Sequence, residues 1–116
     1  MKQCTPTDVL NGKTPANAQY IDVREAGEYV SKHWPKFANM PLSGIQAALS
    51  NLDKKRPVVV MCLSGGRSMS SSAVLDSKGF AVWNVQGGIS AAQREGAPIQ
   101  QAESKGILGA LKGMFA

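Results

Sequence analysis

The chain has 116 residues, 43% of them hydrophobic and 18% charged, and 13 Lys and Arg against 8 Asp and Glu give it a net charge of +5. That length makes one domain able to bury about two thirds of its unfolded surface without a disulfide or metal staple. The composition excludes a disordered or fibrous chain, and no apolar run is long enough to span a bilayer.

The basic excess favours small anions or acidic partners. Nucleic acid is not expected as a partner, because the basic residues are dispersed apart from Lys54-Lys55-Arg56, which reads as a solvated corner between a helix and a strand. Met1-Lys2-Gln3-Cys4-Thr5-Pro6 lacks the apolar stretch of a secretory signal, so the expected location is cytoplasmic and Cys4 and Cys62 are expected as thiols. Cys4, in an edge segment just before the first helix, is expected to be incidentally exposed, with a resolving thiol for Cys62 as the other reading.

In chain order, Thr5-Pro6-Thr7-Asp8 is a helix start, with Thr5 as cap, Pro6 at the first helical position and Asp8 completing a capping box; the helix ends near Asn11-Gly12. Gln19 to Arg24 reads as a strand whose last residues turn polar. Glu25 to Ser31 reads as helix, Met40-Pro41-Leu42 as a short extended piece, and Ser43-Gly44-Ile45-Gln46 as a second capping box. Behind that box Ile45, Ala48, Leu49 and Leu52 fall at helical spacing and form a core face.

Pro57-Val58-Val59-Val60-Met61 is continuous, apolar and largely β-branched, the pattern of a strand buried on both faces of a parallel sheet. Cys62 is its last residue. Gly65 and Gly66 then allow a tight turn, and Arg67 opens a helix running to Lys78 and stopping at Gly79. Gly79-Phe80 is a helix end with an apolar residue tucked back, feeding a strand from Ala81 to Val85. Gly87-Gly88-Ile89 leads into another short helix, and Gly96-Ala97-Pro98 closes the core domain. Strands alternating with helices at this spacing predict an α/β fold with a mostly parallel sheet covered on both faces. The domain is expected over residues 1–99. Residues 100–116 form a tail read as an amphipathic helix, with Ile107, Leu108, Leu111, Met114 and Phe115 as its apolar stripe; it docks on its own domain, on a partner or on a membrane surface.

Cys62-Leu63-Ser64-Gly65-Gly66-Arg67-Ser68 carries the chemistry. A cysteine after an apolar strand is ordinarily inert core. Here two glycines and an arginine follow, which is poor core material and good anion-cradle material. The sulfur is placed at a helix N-terminus and beside a guanidinium, both of which stabilise a thiolate and make it a nucleophile. Ser68 is expected to cap the helix, with donation to the sulfur as its second role. Asp22 and Arg24 end the neighbouring strand. Arg24 either borders the pocket mouth or pairs with Glu28 or Asp22, and Asp22 braces the loop as an acceptor. No metal or cofactor is expected, and the only histidine, His33, lies far in sequence from Cys62.

The pattern resembles the rhodanese-like family. Tyr20-Ile21-Asp22-Val23-Arg24-Glu25, Glu28-Tyr29, His33 and Asn39-Met40-Pro41-Leu42 are similar to its first block, the cysteine loop to its active-site loop, and Val85-Gln86-Gly87-Gly88-Ile89 with Gly96-Ala97-Pro98 to its closing block. The resemblance implies a sulfurtransferase in which Cys62 takes the outer sulfur of a donor such as thiosulfate as a persulfide. It then passes that sulfur to cyanide or a thiol, a protein in a sulfur relay included. Leu63 to Ser68 would supply donors to the persulfide, and Arg67 would balance its charge and orient an anionic donor.

Two departures stand out. Lys32-His33-Trp34-Pro35-Lys36-Phe37 replaces two glycines common in the family by lysines, adding charge and an aromatic at one sheet edge, by the pocket rim. Ala91-Ala92 stands where an aromatic is common, leaving room for Trp34, Phe37 or the tail. The other readings are a non-enzymatic interaction or persulfide-carrier module and, by the shared fold, a phosphatase or arsenate reductase. Those relatives have one residue more between Cys and Arg than the four here, Leu63 to Gly66.

Overall fold

The computed structural model describes residues 1–101, so the apolar stripe from Ile107 to Phe115 lies outside the described residues. Five strands form one parallel sheet in the order β1 (Lys2–Cys4), β6 (Val82–Val85), β5 (Val58–Met61), β2 (Gln19–Asp22), β4 (Ala38–Asn39). Two more, β3 (Lys32–His33) and β7 (Gln100–Gln101), pair antiparallel as a separate ribbon, so the chain stays attached to the domain past residue 99.

The run of valines explains why β5 is central. All four of its residues are fully buried. Val59 and Met61 join one core with Cys4, Val9, Phe37, Val85 and Ile89, while Val58, Val60 and then Cys62 join the other with Ile21, Ile45, Leu75 and Phe80. Each buried valine is worth about 1.5–3 kcal/mol, on a strand with no polar face. Helices α1 (Pro6–Leu10) and α5 (Gly88–Arg94) supply Val9, Ile89 and Ala92 to the first core, and α3 (Ile45–Ala48) and α4 (Gly66–Ser77) supply Ile45 and Leu75 to the second. The sheet is thus covered on both faces.

Local signals set several boundaries. Thr5 caps α1 reciprocally: its Oγ1 accepts the Asp8 N–H at 3.0 Å and Asp8 Oδ2 accepts the Thr5 N–H at 2.9 Å. At the end of α4 Gly79 takes φ +91° and the Phe80 N–H returns to the Leu75 carbonyl at 3.1 Å.

Four expectations need correction. Cys4 is buried, at 2% exposure, because β1 lies against β6 and beneath the first core, although it is an edge strand. The extended piece is β4 at Ala38–Asn39, two residues before Met40-Pro41-Leu42; Pro41 has no N–H with which to prolong the ladder, and Leu42 already begins a 3-10 turn over Leu42–Gly44. Ser43 lies inside that turn and caps nothing; its Oγ donates to Glu25 Oε2 at 3.2 Å, and Gly44 precedes α3. Trp34 and Phe37 are core rather than rim residues: Phe37 is fully buried, with ring centroids 5.1 Å from Trp34 and 5.3 Å from Tyr20, in the cluster that includes Ala92. The remaining helix is α2 (Ala26–Ser31). Among the described residues no helix is long and apolar enough to cross a membrane.

Candidate active site

Cys62 follows the last residue of β5, at the carboxyl edge of the sheet where open α/β folds place their ligands. Its side chain is buried at 1% exposure, under a loop whose Leu63, Ser64 and Gly66 face solvent. Gly65, at φ +110°, reverses the chain so that its N–H points back to the Cys62 sulfur at 3.0 Å. Ser68 Oγ lies 3.4 Å from Sγ and donates to the Gly65 carbonyl at 3.0 Å. Burial pushes the Cys62 thiol up, but the Ser68 hydroxyl and the backbone N–H groups of Ser68, Gly65 and Ser64 outweigh it and hold the group below its ordinary value.

Ser68 therefore does not cap α4. The left-handed Gly65 is the N-cap, without a side-chain cap bond, and Ser68 sits in the first turn facing the sulfur. In the thiol form Sγ–H donates to Ser68 Oγ; on ionisation that hydroxyl is free to turn its proton to the sulfur instead. An ultraviolet titration of thiolate absorbance checks this. A rise with a midpoint below that of an ordinary cysteine is expected for Cys62, moving upward in Ser68→Ala. Cys4 contributes only near pH 11, since burial and then the Asp8 charge raise it to about 11.

Helix α5 fixes the loop from behind. Its Ile89 N–H donates to the Cys62 carbonyl at 2.8 Å and its Ser90 N–H to the Leu63 carbonyl at 3.1 Å. With those carbonyls turned away, the amides that follow can face the sulfur. This close approach needs Gly88, at φ +57°: a Cβ there would overlap the Cys62 carbonyl oxygen and sit 2.6 Å from the Leu63 carbonyl carbon.

Arg67 opens α4 directly after the loop, but its guanidinium has a partner that the spacing does not reveal. Its guanidinium grips Glu28 of α2 with both prongs, Nη1 to Oε1 at 2.5 Å and Nη2 to Oε2 at 2.7 Å. Arg67 holds the Glu28 carboxyl down at about 2, and the Glu28 carboxylate in turn influences Arg67 more than the charge of Cys62 does. The donors that stabilise the thiolate are thus amides and a hydroxyl.

Asp22 and Arg24 are buried, at 0% and 1% exposure, and bind one another, so neither side chain forms an exposed rim. Arg24 Nε reaches Asp22 Oδ1 at 3.0 Å and Nη2 reaches Oδ2 at 2.8 Å, while Asp22 Oδ1 also accepts the Arg24 N–H at 3.0 Å. Arg24 Nη1 and Nη2 also donate to the carbonyls of Glu28 at 3.2 Å and Lys32 at 2.8 Å, which ties down α2 at its third residue and at its C-cap. His33 serves structure: it stacks on Tyr29 at 4.3 Å and its Nδ1 lies 3.0 Å from the Tyr29 carbonyl oxygen.

Sequence reasoning missed two parts of this site. Glu28 was weighed as a partner of Arg24, and its tie to Arg67 crosses 39 positions with no local pattern. Gly88 was read as a helix lead-in, and only the pair of consecutive glycines signals the close approach.

A family model described as Rhodanese-like domain matches residues 5–95. The chain belongs to that family. A sulfurtransferase of Allochromatium vinosum is 36% identical over 84 residues, covering 72% of this chain and 78% of its own. The thiosulfate sulfurtransferase GlpE of Pseudomonas savastanoi pv. phaseolicola is 35% identical over 84 residues, covering 72% of this chain and 79% of its own. Among solved structures, a rhodanese-related protein of Thermoplasma volcanium superposes with a TM-score of 0.78 at 24% identity over 86% of this chain and 98% of that one, a likeness of fold.

Proposed function

We propose that this rhodanese-like domain is a sulfurtransferase that works through a persulfide on Cys62. The observation that carries the reading is the buried Cys62 sulfur facing the Gly65 N–H at 3.0 Å and the Ser68 hydroxyl at 3.4 Å, at the start of a twelve-residue helix. The Cys62 thiolate attacks the outer sulfur of thiosulfate; a sulfur–sulfur bond forms to Cys62 and sulfite leaves with the electron pair of the bond that breaks. The Cys62 persulfide anion then lies where the loop amides from Leu63 to Ser68 supply donors. Cyanide or a thiol, free or carried by a relay protein, attacks the terminal sulfur and returns the Cys62 thiolate. Every step exchanges one nucleophile for another at sulfur, so neither a general base nor an external oxidant is required.

A module that only binds a partner would have no use for a buried thiol facing an amide and a hydroxyl, whereas a persulfide carrier would share the first step and differ in lacking turnover. A phosphatase or arsenate reductase needs a wider ring of amides and a free arginine, whereas four residues separate Cys62 from Arg67 and Arg67 is engaged by Glu28. A cytoplasmic location fits the reading, since both cysteines are free thiols. The test is thiocyanate formation from thiosulfate and cyanide. The parent protein is expected to turn over and Cys62→Ser to fall to the uncatalysed background; equal rates in both would overturn the assignment.

A further inference from the structure

The sulfur-transfer reading leaves the Arg67–Glu28 pair without a task, and its place beside Ser68, whose hydroxyl lies 3.4 Å from the reacting sulfur, points to one. Arg67 is the second residue of α4, beside Ser68, and it feels the charge of Cys62. Both side chains of the pair are 36% exposed, so the pair is open to solvent one residue away from Ser68. Glu28 is held rigidly: besides Arg67, it accepts the Glu25 N–H at 3.1 Å through Oε1, as part of the capping box that starts α2. The backbone carbonyl of Glu28 is itself tied to the buried Arg24. A carboxylate held by two partners on a backbone that is itself tied down does not readily swing away to release Arg67, and a bidentate fork leaves the guanidinium little freedom to meet an incoming anion.

We propose that Glu28 sets the charge class of sulfur donor that this site accepts, by occupying Arg67 and placing a fixed negative charge beside it. The pair cancels the attraction a free arginine would exert. Donors with two negative charges lose more by this than donors with one, since each added charge meets the same local field. The inference rests on the sulfurtransferase reading and names monoanionic and thiol-borne sulfane donors as the favoured class over the thiosulfate dianion. The residue determines specificity through Arg67 and through its own field, without touching the sulfur.

The test compares thiosulfate with methanethiosulfonate, which present the same sulfane sulfur but differ by one charge and release sulfite and methanesulfinate respectively. With cyanide as acceptor, the ratio of kcat/KM for thiosulfate over methanethiosulfonate is measured in the parent, in Glu28→Gln and in Glu28→Asp. Glu28→Gln keeps the length and the capping acceptor but removes the charge. Its ratio is expected to rise roughly fourfold at low salt, the factor for one charge about 7 Å away at an effective dielectric near 60. The rise should appear in KM rather than kcat and shrink below about twofold at 0.5 M salt. Glu28→Asp loosens the bidentate geometry but keeps the charge, so its ratio should stay within about twofold of the parent's whatever its melting temperature does.

An unchanged ratio in Glu28→Gln would overturn the proposal, as would an equal rise in Glu28→Asp, which would mean geometry and not charge. Failure of the parent to use either donor would instead strike the sulfurtransferase reading itself.

Discussion

Replacing Gly88 by alanine is expected to lower sulfur transfer by about a hundredfold, the usual consequence of moving a reacting group by about an ångström. Gly88 has φ +57°, and a Cβ there would overlap the Cys62 carbonyl oxygen and lie 2.7 Å from that of Leu63. Those two carbonyls are the ones that α5 holds through the N–H groups of Ile89 and Ser90. The backbone has to retreat, and the Gly65 amide that faces the sulfur retreats with it. Gly12→Ala is the control: Gly12 has a comparable φ of +68° but nothing within 4 Å of its Cβ position. It should lose only about 1–2 kcal/mol of stability, the cost of a left-handed alanine, and keep its turnover. Steady-state kinetics of the two variants with one donor separate strain in general from collision with the cysteine loop. Equal activities would contradict the assigned role of α5.

The largest stability effect is expected from Asp22→Ala. Asp22 accepts three protons from Arg24, and both residues are buried. Removing the carboxylate leaves a guanidinium inside the fold with only the carbonyls of Glu28 and Lys32 as partners, a situation that costs about 3–5 kcal/mol. Against a total of about 5–15 kcal/mol for a domain, that is about a fifth or more of the stability. Urea denaturation of parent and variant measures it directly. A loss below about 1 kcal/mol would mean that the pair is solvated in solution.

How far the sequence revealed this molecule depended on how local each determinant was. The cysteine loop was legible because its parts are adjacent: an unbroken apolar strand, two glycines and a helix start require no distant partner to be recognised. The same holds for the Thr5 capping box and the Gly79-Phe80 helix end. Cys4 was misjudged because an edge strand can be buried on one face by helices that follow much later, here α5, whose Ile89 and Ala92 share its core. Trp34 and Phe37 lie in a segment with neither helical nor strand periodicity, so only the room left by Ala91-Ala92 pointed to them as filling, and the cluster they share with Ala92 agrees with it. The strands β3 and β7 are two residues each and carry no pattern at all.

Arg67 is the most instructive case. Its position in the loop was read correctly and its partner was not, because spacing tells which residues follow a thiol but not which carboxylate another helix presents to them. The ion pair between residues 28 and 67 joins α2 to α4, and α2 is also held by Arg24, itself paired with Asp22, through the carbonyls of Glu28 and Lys32. The consequence reaches function, since the fixed carboxylate changes what an incoming anion meets.

The central claim is a persulfide on Cys62, and intact-mass measurement after incubation with thiosulfate tests it most directly. The account predicts the gain of a single sulfur atom by the parent protein, its removal on adding cyanide, and no gain by Cys62→Ser. A parent mass unchanged by every sulfane donor, or the same added sulfur on Cys62→Ser, would contradict it.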